Sequence, residues 1–248
     1  MTGTTIHPIA KYHGDFPEKF GLPRQAGIVK ELEGKVVFEP AYRSPEALRG
    51  LEGFSHLWLI WQFSENLREG FSPTVRPPRL GGNVRMGVFA TRSPFRPNAL
   101  GLSCVELVGM EEREGLGTVL KVRGADLMDG TPVFDIKPYV PYADCRPEAR
   151  SGFAPDAGER LPVDFPEELL AKIPENRRAA LCGVLENDPR PRYQEDPDRV
   201  YILSFAGFEV SFTVREERLT VTAVRVSKKR PDPPDGPERG HREKEGSS

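Results

Sequence analysis

Apolar and polar residues alternate over short distances in the first part of the chain, with a period of two. Such alternation predicts short strands, and glycine and proline are frequent between them. The predicted strands are Thr5–Tyr12, Gly27–Leu32, Lys35–Glu39, Phe54–Phe63, Arg85–Ala90, Leu100–Val108, Thr118–Arg123 and Val133–Pro138. The second and third of these are expected to form a hairpin around Glu33 and Gly34. One short helix is expected from an N-cap at Ser44 to about Leu51.

Little helix separates these strands, so the long crossovers that join parallel strands have no place in the pattern. We therefore predict a mainly β, mostly antiparallel barrel or sandwich. After Asp144 a stretch rich in proline, glycine, alanine and arginine is typical of a linker. A helical segment, Pro166–Leu185 with an interruption at Pro174, follows it. Three more strands are predicted at Val200–Phe205, Phe208–Val214 and Leu219–Val226.

These patterns divide the chain into four parts. We predict a β domain at residues 1–145, a linker at 146–162, a small α+β domain at 163–226 and a disordered tail at 227–248. The apolar stretch within Phe54–Phe63 is much shorter than the roughly 20 residues of a membrane helix, and no signal peptide is recognisable. A cytosolic location is expected.

Cysteine and histidine residues give no pattern of their own. The three cysteines are widely spaced, and the four histidines lack a spacing that would place two of them on one helix face. We therefore predict neither a disulfide framework nor a metal site.

Six arginines in residues 68–98, opposed only by Glu69, concentrate positive charge in a chain whose net charge is −2. They are Arg68, Arg76, Arg79, Arg85, Arg92 and Arg96. Arginine pairs in a bidentate manner with phosphate or carboxylate, and the neighbouring prolines and glycines predict a rigid loop. This arginine loop (residues 74–101) is expected to bind an anionic ligand, most commonly a nucleic acid. The alternative is that its arginines pair with acids elsewhere, such as Glu111, Glu112 and Glu114.

Aromatic rings near the arginine loop suggest base stacking as a second means of RNA binding. They are Trp58, Trp61, Phe71, Phe89 and Phe95. Proteins that read single-stranded RNA stack unpaired bases on such rings. Strand alternation, however, puts Trp58 and Trp61 on opposite faces, and we expect most of these rings to belong to the core.

Three carboxylates, Asp126, Asp129 and Asp135, precede the end of the predicted β domain. Asp129 and Gly130 form a turn signal, which explains Asp129 without a catalytic role. Asp135 lies within an apolar strand and, if buried, needs a partner, so a structural ion pair and catalysis are equally compatible with it. A dinucleotide-binding G-x-G-x-x-G fingerprint is missing from the sequence.

Five segments together resemble the TrmO family, also called YaeB or TsaA-like proteins. They are FPEKFGLPRQAGIVK, RGLEGFSHLWLIWQF, TVRPPRLGGNVRMGVFATRSPFRPNALG, DLMDGTPVFDIKPYVP and DPRPRY. The resemblance implies a single TsaA-like β-barrel without a Rossmann fold, and transfer of a methyl group from S-adenosylmethionine. The implied acceptor is N(6) of threonylcarbamoyladenosine at position 37 of threonine tRNA, in an anticodon loop whose bases are accessible. It also implies a homodimer.

The resemblance also implies site residues. Those for the cofactor are Arg24, Gln25, Ala26, Ser64, Glu65, Arg92, Leu102, Asp126, Leu127, Met128 and Asp129. Ser64 and Glu65 stand where relatives are expected to have His-Gln, so this chain departs from the pattern there. Candidates for tRNA binding are Arg76, Arg79, Arg85, Arg96, Asn98, Arg190 and Arg192. Catalytic candidates are Asp129, Asp135 and Tyr139, with Asp126 as a further acceptor for the N(6) proton.

Two other functions are compatible with the residues alone. A non-catalytic RNA-binding module would use the arginine loop without S-adenosylmethionine. A β domain that binds a small anionic metabolite would bind no RNA and show little salt dependence.

Overall fold

The computed structural model describes residues 3–67, 70–156, 158–190 and 196–227. Its strands are β1 (Ala10–His13), β2 (Glu33–Phe38), β3 (His56–Gln62), β4 (Thr74–Val75), β5 (Met86–Gly87), β6 (Leu100–Arg113), β7 (Gly117–Arg123), β8 (Thr131–Pro138), β9 (Val163–Asp164), β10 (Tyr201–Phe205), β11 (Phe208–Arg215) and β12 (Arg218–Val226). Its α-helices are α1 (Pro141–Asp144), α2 (Glu167–Leu170) and α3 (Glu175–Glu186). No helix in the described part of the chain is long and apolar enough to span a membrane.

Six strands form a closed ring in the order β1, β2, β7, β6, β3 and β8, and β8 pairs again with β1. All neighbours in the ring are antiparallel. Alternation along β3 explains its place, because Leu57, Leu59 and Trp61 are buried while the residues between them are partly exposed. The prediction of a mainly β, antiparallel first part, with these two faces of β3, is confirmed.

Three predicted elements differ from the structure. Gly27–Leu32 forms turns, not a strand, so the expected hairpin is wrong and β2 pairs with β1 and β7. The predicted strand Arg85–Ala90 is reduced to β5 and a 3-10 turn at Val88–Ala90. The predicted helix after Ser44 is a 3-10 turn at Pro45–Leu48, without a capping hydrogen bond from the serine side chain.

The C-terminal domain consists of a second sheet, in the order β10, β11, β12 and β9, together with α2 and α3. The predicted helix interruption is confirmed, since Pro174 is the N-cap of α3. Ala206 and Gly207 join β10 to β11 with positive φ values of 50° and 82°, as a tight hairpin requires. The parallel strand β9 escapes prediction because it has only two residues. Of the predicted disordered tail, only Ser227 lies within the described residues.

Residues 14–32, called the N-terminal loop, leave the ring and pack on the C-terminal domain. Phe16, Val29 and Leu32 are buried in one apolar cluster with Leu203 and Phe205 of β10. This burial explains the apolar run that suggested a strand at Gly27–Leu32, because the run fills the core of another domain. The N-terminal loop is thereby held between the ring and the C-terminal domain.

Candidate functional site

Two adjoining cavities lie beside the ring. The small cavity has a volume of about 440 Å³ and the large cavity about 1170 Å³. Residues that line both cavities are Arg24, Gln25, Thr91, Arg92, Pro94 and Arg96. The tip of the N-terminal loop and the arginine loop therefore meet where the cavities join.

The small cavity is built on the ends of β3 and β6. Trp58, Trp61 and Gln62 of β3 and Leu102 of β6 line it. Trp61 pairs with Gly101 across these strands, and a Cβ atom on Gly101 would lie 2.3 Å from the indole. Glycine at position 101 is therefore needed for the indole to cross β6 at this point.

Asp126 is a largely buried carboxylate that lines the small cavity. Its Oδ1 accepts a hydrogen bond from the Ser103 hydroxyl at 2.5 Å, and Ser103 Oγ accepts one from Trp61 Nε1 at 2.9 Å. Burial raises the pKa of Asp126 above its ordinary value, against the opposing effects of the Ser103 hydrogen bond and the positive charge of Arg92. The chain of hydrogen bonds fixes the orientation of this carboxylate.

A polar corner separates the two cavities. Arg92 Nη1 donates a hydrogen bond to Gln25 Oε1, and Arg24 Nη2 lies 3.3 Å from the backbone oxygen of Asp188 in the C-terminal domain. Residues from both domains thus meet at this corner.

The arginines of the large cavity differ in what they contact. Arg96 donates to the backbone oxygen of Thr91 at 2.7 Å, and Arg79 donates to that of Asp156 at 2.6 Å. Arg85 donates to Thr74 Oγ1 at 2.9 Å, whereas Arg76 has no polar partner within the described part of the chain.

The alternative that these arginines pair with Glu111, Glu112 or Glu114 gains no support from the acids themselves. Glu111 contacts Lys121 at 2.7 Å and Arg113 at 3.5 Å, and Glu112 accepts a hydrogen bond from Thr118. Positive charge is therefore left facing the large cavity.

Aromatic rings are more exposed here than the sequence pattern indicated. Phe71, Phe89 and Phe95 are 51%, 73% and 37% exposed, and Trp58 is half-buried, so the expectation that most of the five rings are core is wrong. Of these five side chains, only Trp61 belongs to the apolar core inside the six-stranded ring. The physical reason is that, among the described residues, no layer of structure covers the arginine loop, so its rings face the large cavity and solvent.

Most of the cofactor residues implied by the resemblance lie at one site. The small cavity is lined by Arg24, Gln25, Ser64, Glu65, Arg92, Leu102, Asp126 and Met128. Leu127 is buried in the ring core, and the backbone amide of Ala26 lowers the pKa of Asp126 through a hydrogen bond. Neither of these two residues belongs to the lining of the small or the large cavity.

The three catalytic candidates lie outside the linings of both cavities. Asp129 Oδ1 contacts His13 Nδ1 at 3.0 Å and accepts a hydrogen bond from the Gly14 amide. Asp135 pairs with Lys137 at 3.2 Å, while Tyr139 packs against the Trp58 ring. Asp135 thus has lysine as its ion-pair partner, and because its side chain is 48% exposed, its charge does not require burial against an arginine.

The remaining tRNA candidates are spread more widely. Asn98 is exposed on the arginine loop, and Arg190 pairs with Asp188 in the C-terminal domain. Arg192 and Arg68 lie outside the described residues. Sequence reasoning missed Ser103, although a hydroxyl on the buried face of an apolar strand is itself a signal, because such a group needs a partner.

A small-molecule cavity that opens into an arginine-lined one is the arrangement of an enzyme that modifies nucleic acid with a small co-substrate. The closed antiparallel ring distinguishes it from Rossmann-type enzymes. A family model described as "tRNA-methyltransferase O N-terminal domain" matches residues 11–145, and one described as "TrmO C-terminal domain" matches residues 158–227. The chain therefore belongs to the TrmO family.

Individual relatives agree with this membership. The chain is 40% identical to "tRNA (adenine(37)-N6)-methyltransferase" of Escherichia coli (strain K12), over 90% of this chain and 99% of that protein. It is 41% identical to "Putative S-adenosylmethionine-dependent methyltransferase RcsF" of Pseudomonas aeruginosa, over 79% of this chain and 87% of that protein. A crystal structure of TrmO from P. aeruginosa superposes with a TM-score of 0.74 at 33% identity, covering 92% of this chain and 99% of that one.

Proposed function

We propose that this chain methylates the N(6) nitrogen of threonylcarbamoyladenosine at position 37 of threonine tRNA. As a member of the TrmO family, the chain is an S-adenosylmethionine-dependent tRNA methyltransferase, and relatives at 40% and 45% identity carry the name "tRNA (adenine(37)-N6)-methyltransferase". The observation that carries the proposal is the junction at Arg92, where a small-molecule cavity opens into an arginine-lined one.

The small cavity fits S-adenosylmethionine in size and in chemistry. Its volume of about 440 Å³ lies within the range of about 300–1,000 Å³ found for small-molecule sites. Arg92 and Gln25 match the carboxylate of the ligand, while Asp126 and the Trp58 ring match its positive charges. When bound, S-adenosylmethionine supplies an activated methyl group on a sulfonium.

Asp126 is the residue that we propose as acceptor for the proton on N(6). A nitrogen conjugated to a carbamoyl group is a poor nucleophile, so removal of its proton assists the reaction. Burial raises the pKa of Asp126, which makes its carboxylate a stronger proton acceptor than an ordinary aspartate. Ser103 keeps that carboxylate directed at the cavity. Catalytic roles for Asp129, Asp135 and Tyr139 stay predictions, and the His13 contact favours a role for Asp129 in holding the turn that carries Asp126.

The large cavity is the proposed site for the anticodon loop. Arg76 is available to contact phosphates or the threonyl carboxylate, and Arg85 uses only its Nε on Thr74, whereas Arg79 and Arg96 brace the arginine loop. Phe71 and Phe95 line the same cavity, with faces available for stacking unpaired bases. The backbone oxygen of Asn98 accepts a hydrogen bond from the Leu100 amide, and a tRNA contact by the Asn98 side chain stays a prediction.

The remaining expectations complete the proposal. We propose that the closed ring is the TsaA-like β-barrel that the resemblance implies. The division of the chain into four parts, with boundaries at residues 145, 162 and 226, is also part of the proposal. A homodimer, a cytosolic location and a tRNA contact by Arg192 are also proposed and await measurement.

Two measurements test this function. We expect threonine tRNA that carries threonylcarbamoyladenosine to be methylated, and the same transcript without that group to remain unmodified. Isothermal titration should detect binding of both S-adenosylmethionine and S-adenosylhomocysteine. If the protein bound tRNA but neither S-adenosylmethionine nor S-adenosylhomocysteine, the RNA-binding module would be supported instead. If it bound neither tRNA nor these two ligands, the anionic-metabolite protein would be supported.

A further inference from the structure

We propose that Asp188 and Arg190 of the C-terminal domain are positioning residues for the small cavity. They form a rigid turn that holds Arg24 and, through it, Gln25 and Arg92. This inference rests on the proposed function, in which Gln25 and Arg92 contact the carboxylate of S-adenosylmethionine and Arg24 lines the same cavity. It assigns Asp188 and Arg190, which belong to the C-terminal domain, a task in cofactor binding at a cavity built mainly by the other domain.

The turn is held by a two-pronged ion pair. Arg190 Nε and Nη2 lie 2.8 Å and 3.0 Å from the two carboxylate oxygens of Asp188, and the Arg190 amide donates to the same carboxylate at 3.3 Å. Only 16% of the arginine side chain and 24% of the aspartate side chain are exposed. A bidentate pair of this kind fixes geometry as well as adding energy. Asp188 also has a φ of 47°, a left-handed conformation that aspartate tolerates.

The turn presents two backbone oxygens to the tip of the N-terminal loop. Arg24 Nη2 lies 3.3 Å from the oxygen of Asp188 and 3.5 Å from that of Arg190. Gln25 follows directly, and its side-chain oxygen accepts a hydrogen bond from Arg92. Consecutive polar contacts therefore lead from the C-terminal domain to the corner where the two cavities join.

The base of the N-terminal loop is fixed by the same domain. Phe16 and Val29 are buried in its core, the Ala206 amide donates to the backbone oxygen of Asp15 at 2.8 Å, and Arg177 of α3 pairs with Asp15 at 3.3 Å. Since both ends of the loop are anchored by burial, the remaining freedom lies at its tip. The Asp188–Arg190 turn restricts that tip.

The sequence had suggested a different task for Arg190, a contact to tRNA phosphate. In the structure the guanidinium fork is turned to Asp188, and a phosphate would have to compete with a bidentate partner. The two roles predict opposite results, because a phosphate contact affects the salt dependence of tRNA binding, whereas a positioning role affects cofactor binding.

Arg190→Ala and Asp188→Asn test the proposal, and asparagine is chosen because it tolerates a positive φ. We expect S-adenosylhomocysteine to bind about tenfold more weakly to Arg190→Ala, as loss of a hydrogen bond to a charged group implies. Arg190→Lys should fail to restore binding, since an ammonium lacks the planar fork. In the unliganded protein, amide hydrogen exchange of residues 24–26 should accelerate in these variants.

The matched control is Asp198→Asn, which breaks an exposed ion pair with Arg215 in the same domain. It should change neither the affinity for S-adenosylhomocysteine nor the exchange of residues 24–26. Unchanged affinity in Arg190→Ala, with a salt slope of tRNA binding reduced by about 0.7 to 0.9, would overturn the proposal in favour of a phosphate contact. Unchanged hydrogen exchange at the tip would overturn it as well. Failure of the wild-type protein to bind S-adenosylmethionine and S-adenosylhomocysteine would refute the proposed function. The hydrogen-exchange measurement would still decide whether the Asp188–Arg190 turn holds residues 24–26 in place.

Discussion

The two walls that meet at the junction of the cavities are held in place by different forces. Before it enters β6, the arginine loop contains two strands of two residues each and short 3-10 turns, together with local hydrogen bonds such as that from Arg96 to Thr91. The N-terminal loop instead buries Phe16, Val29 and Leu32 in the core of the C-terminal domain. Burial dominates folding energy. Ligand contacts on the N-terminal loop are therefore coupled to the stability of the fold, whereas those on the arginine loop are largely independent of it.

Rigidity on the arginine side comes from backbone restriction. Pro77 and Pro78 have restricted φ angles, and Gly81 and Gly82 adopt φ values of 69° and 73° that let the chain turn behind them. This wall therefore presents charged side chains from an ordered loop without a buried core of its own. Substitutions in the two walls should separate binding from folding.

The largest effect is expected from Leu203→Ala. Leu203 is fully buried, and its Cδ1 lies where a Cβ on Gly21 would be, so it packs directly under the N-terminal loop. The variant should lower the free energy of unfolding by about 2–5 kcal/mol in urea denaturation, and its folded form should bind S-adenosylhomocysteine more weakly than wild type, because the N-terminal loop loses the packing beneath Gly21. Ile202→Ala, at a 54% exposed neighbour on β10, is the control and should cost less than about 1 kcal/mol. Normal ligand affinity of folded Leu203→Ala would break the link between this core and the cavity.

Asp15 provides a pH-dependent test of the same wall. Burial raises its pKa from 3.8 to about 6, against the attraction of Arg177. A raised pKa means that the protonated form favours the folded state, so this contribution is present below about pH 4 and is lost as the pH rises through 6. The stability of Asp15→Asn relative to wild type should therefore increase by up to about 3 kcal/mol between pH 4 and pH 7. Denaturation curves at several pH values would contradict this if the two proteins kept a constant difference.

Arg92→Ala tests the arginine loop, where ligand binding should depend little on the stability of the fold. Arg92 is exposed and contacts Gln25 where the cavities join, so its loss should reduce methylation kcat/KM at least about tenfold. Thermal stability should stay close to that of wild type, because no core contact is removed. Arg49→Ala, which breaks an exposed pair with Glu46, is the control for loss of a surface arginine. A large fall in melting temperature for Arg92→Ala would show that the arginine wall also contributes to folding.

The smallest effect is expected within the arginine loop itself. Arg76→Ala should weaken tRNA binding about threefold and lower its salt slope by about 0.7 to 0.9, because this guanidinium is available for a phosphate. Arg79→Ala, by contrast, removes a side chain engaged with Asp156 and should change the slope less. Fluorescence anisotropy at several salt concentrations measures both. Equal slopes for the two variants would mean that the internal contacts do not select which arginines meet RNA.

Much of the ring could be predicted because alternation is a property of a short segment. Leu57, Leu59 and Trp61 face inward whatever their neighbours are, so β3 was predictable from its own residues. Val29 and Leu32 carry an equally apolar pattern, but they fill a core formed with residues far away in the chain. The pattern of apolar and polar positions predicts that a side chain is buried, but it does not predict which domain buries it.

The candidate site divides in the same way. Arg24, Gln25, Arg92 and Asp126 belong to segments recognisable in the sequence, and they do line one cavity. The hydrogen bond from Ser103 to Asp126 and the pairing of Arg190 with Asp188 were not predictable, because each depends on how the backbone orients two side chains. The exposure of Phe71 and Phe89 likewise follows from the lack of a covering layer.

The sequence by itself determined most of the strands of the ring, the charge of the arginine loop and the family to which the chain belongs. Only the tertiary structure decided that the N-terminal loop is shared with the C-terminal domain, that Arg24 reaches Asp188, and that the two cavities join at Arg92. Periodicity and charge are local properties of the chain. Contacts between distant segments depend on ring closure and on packing between domains, which balance loop entropy against buried area summed over the whole fold.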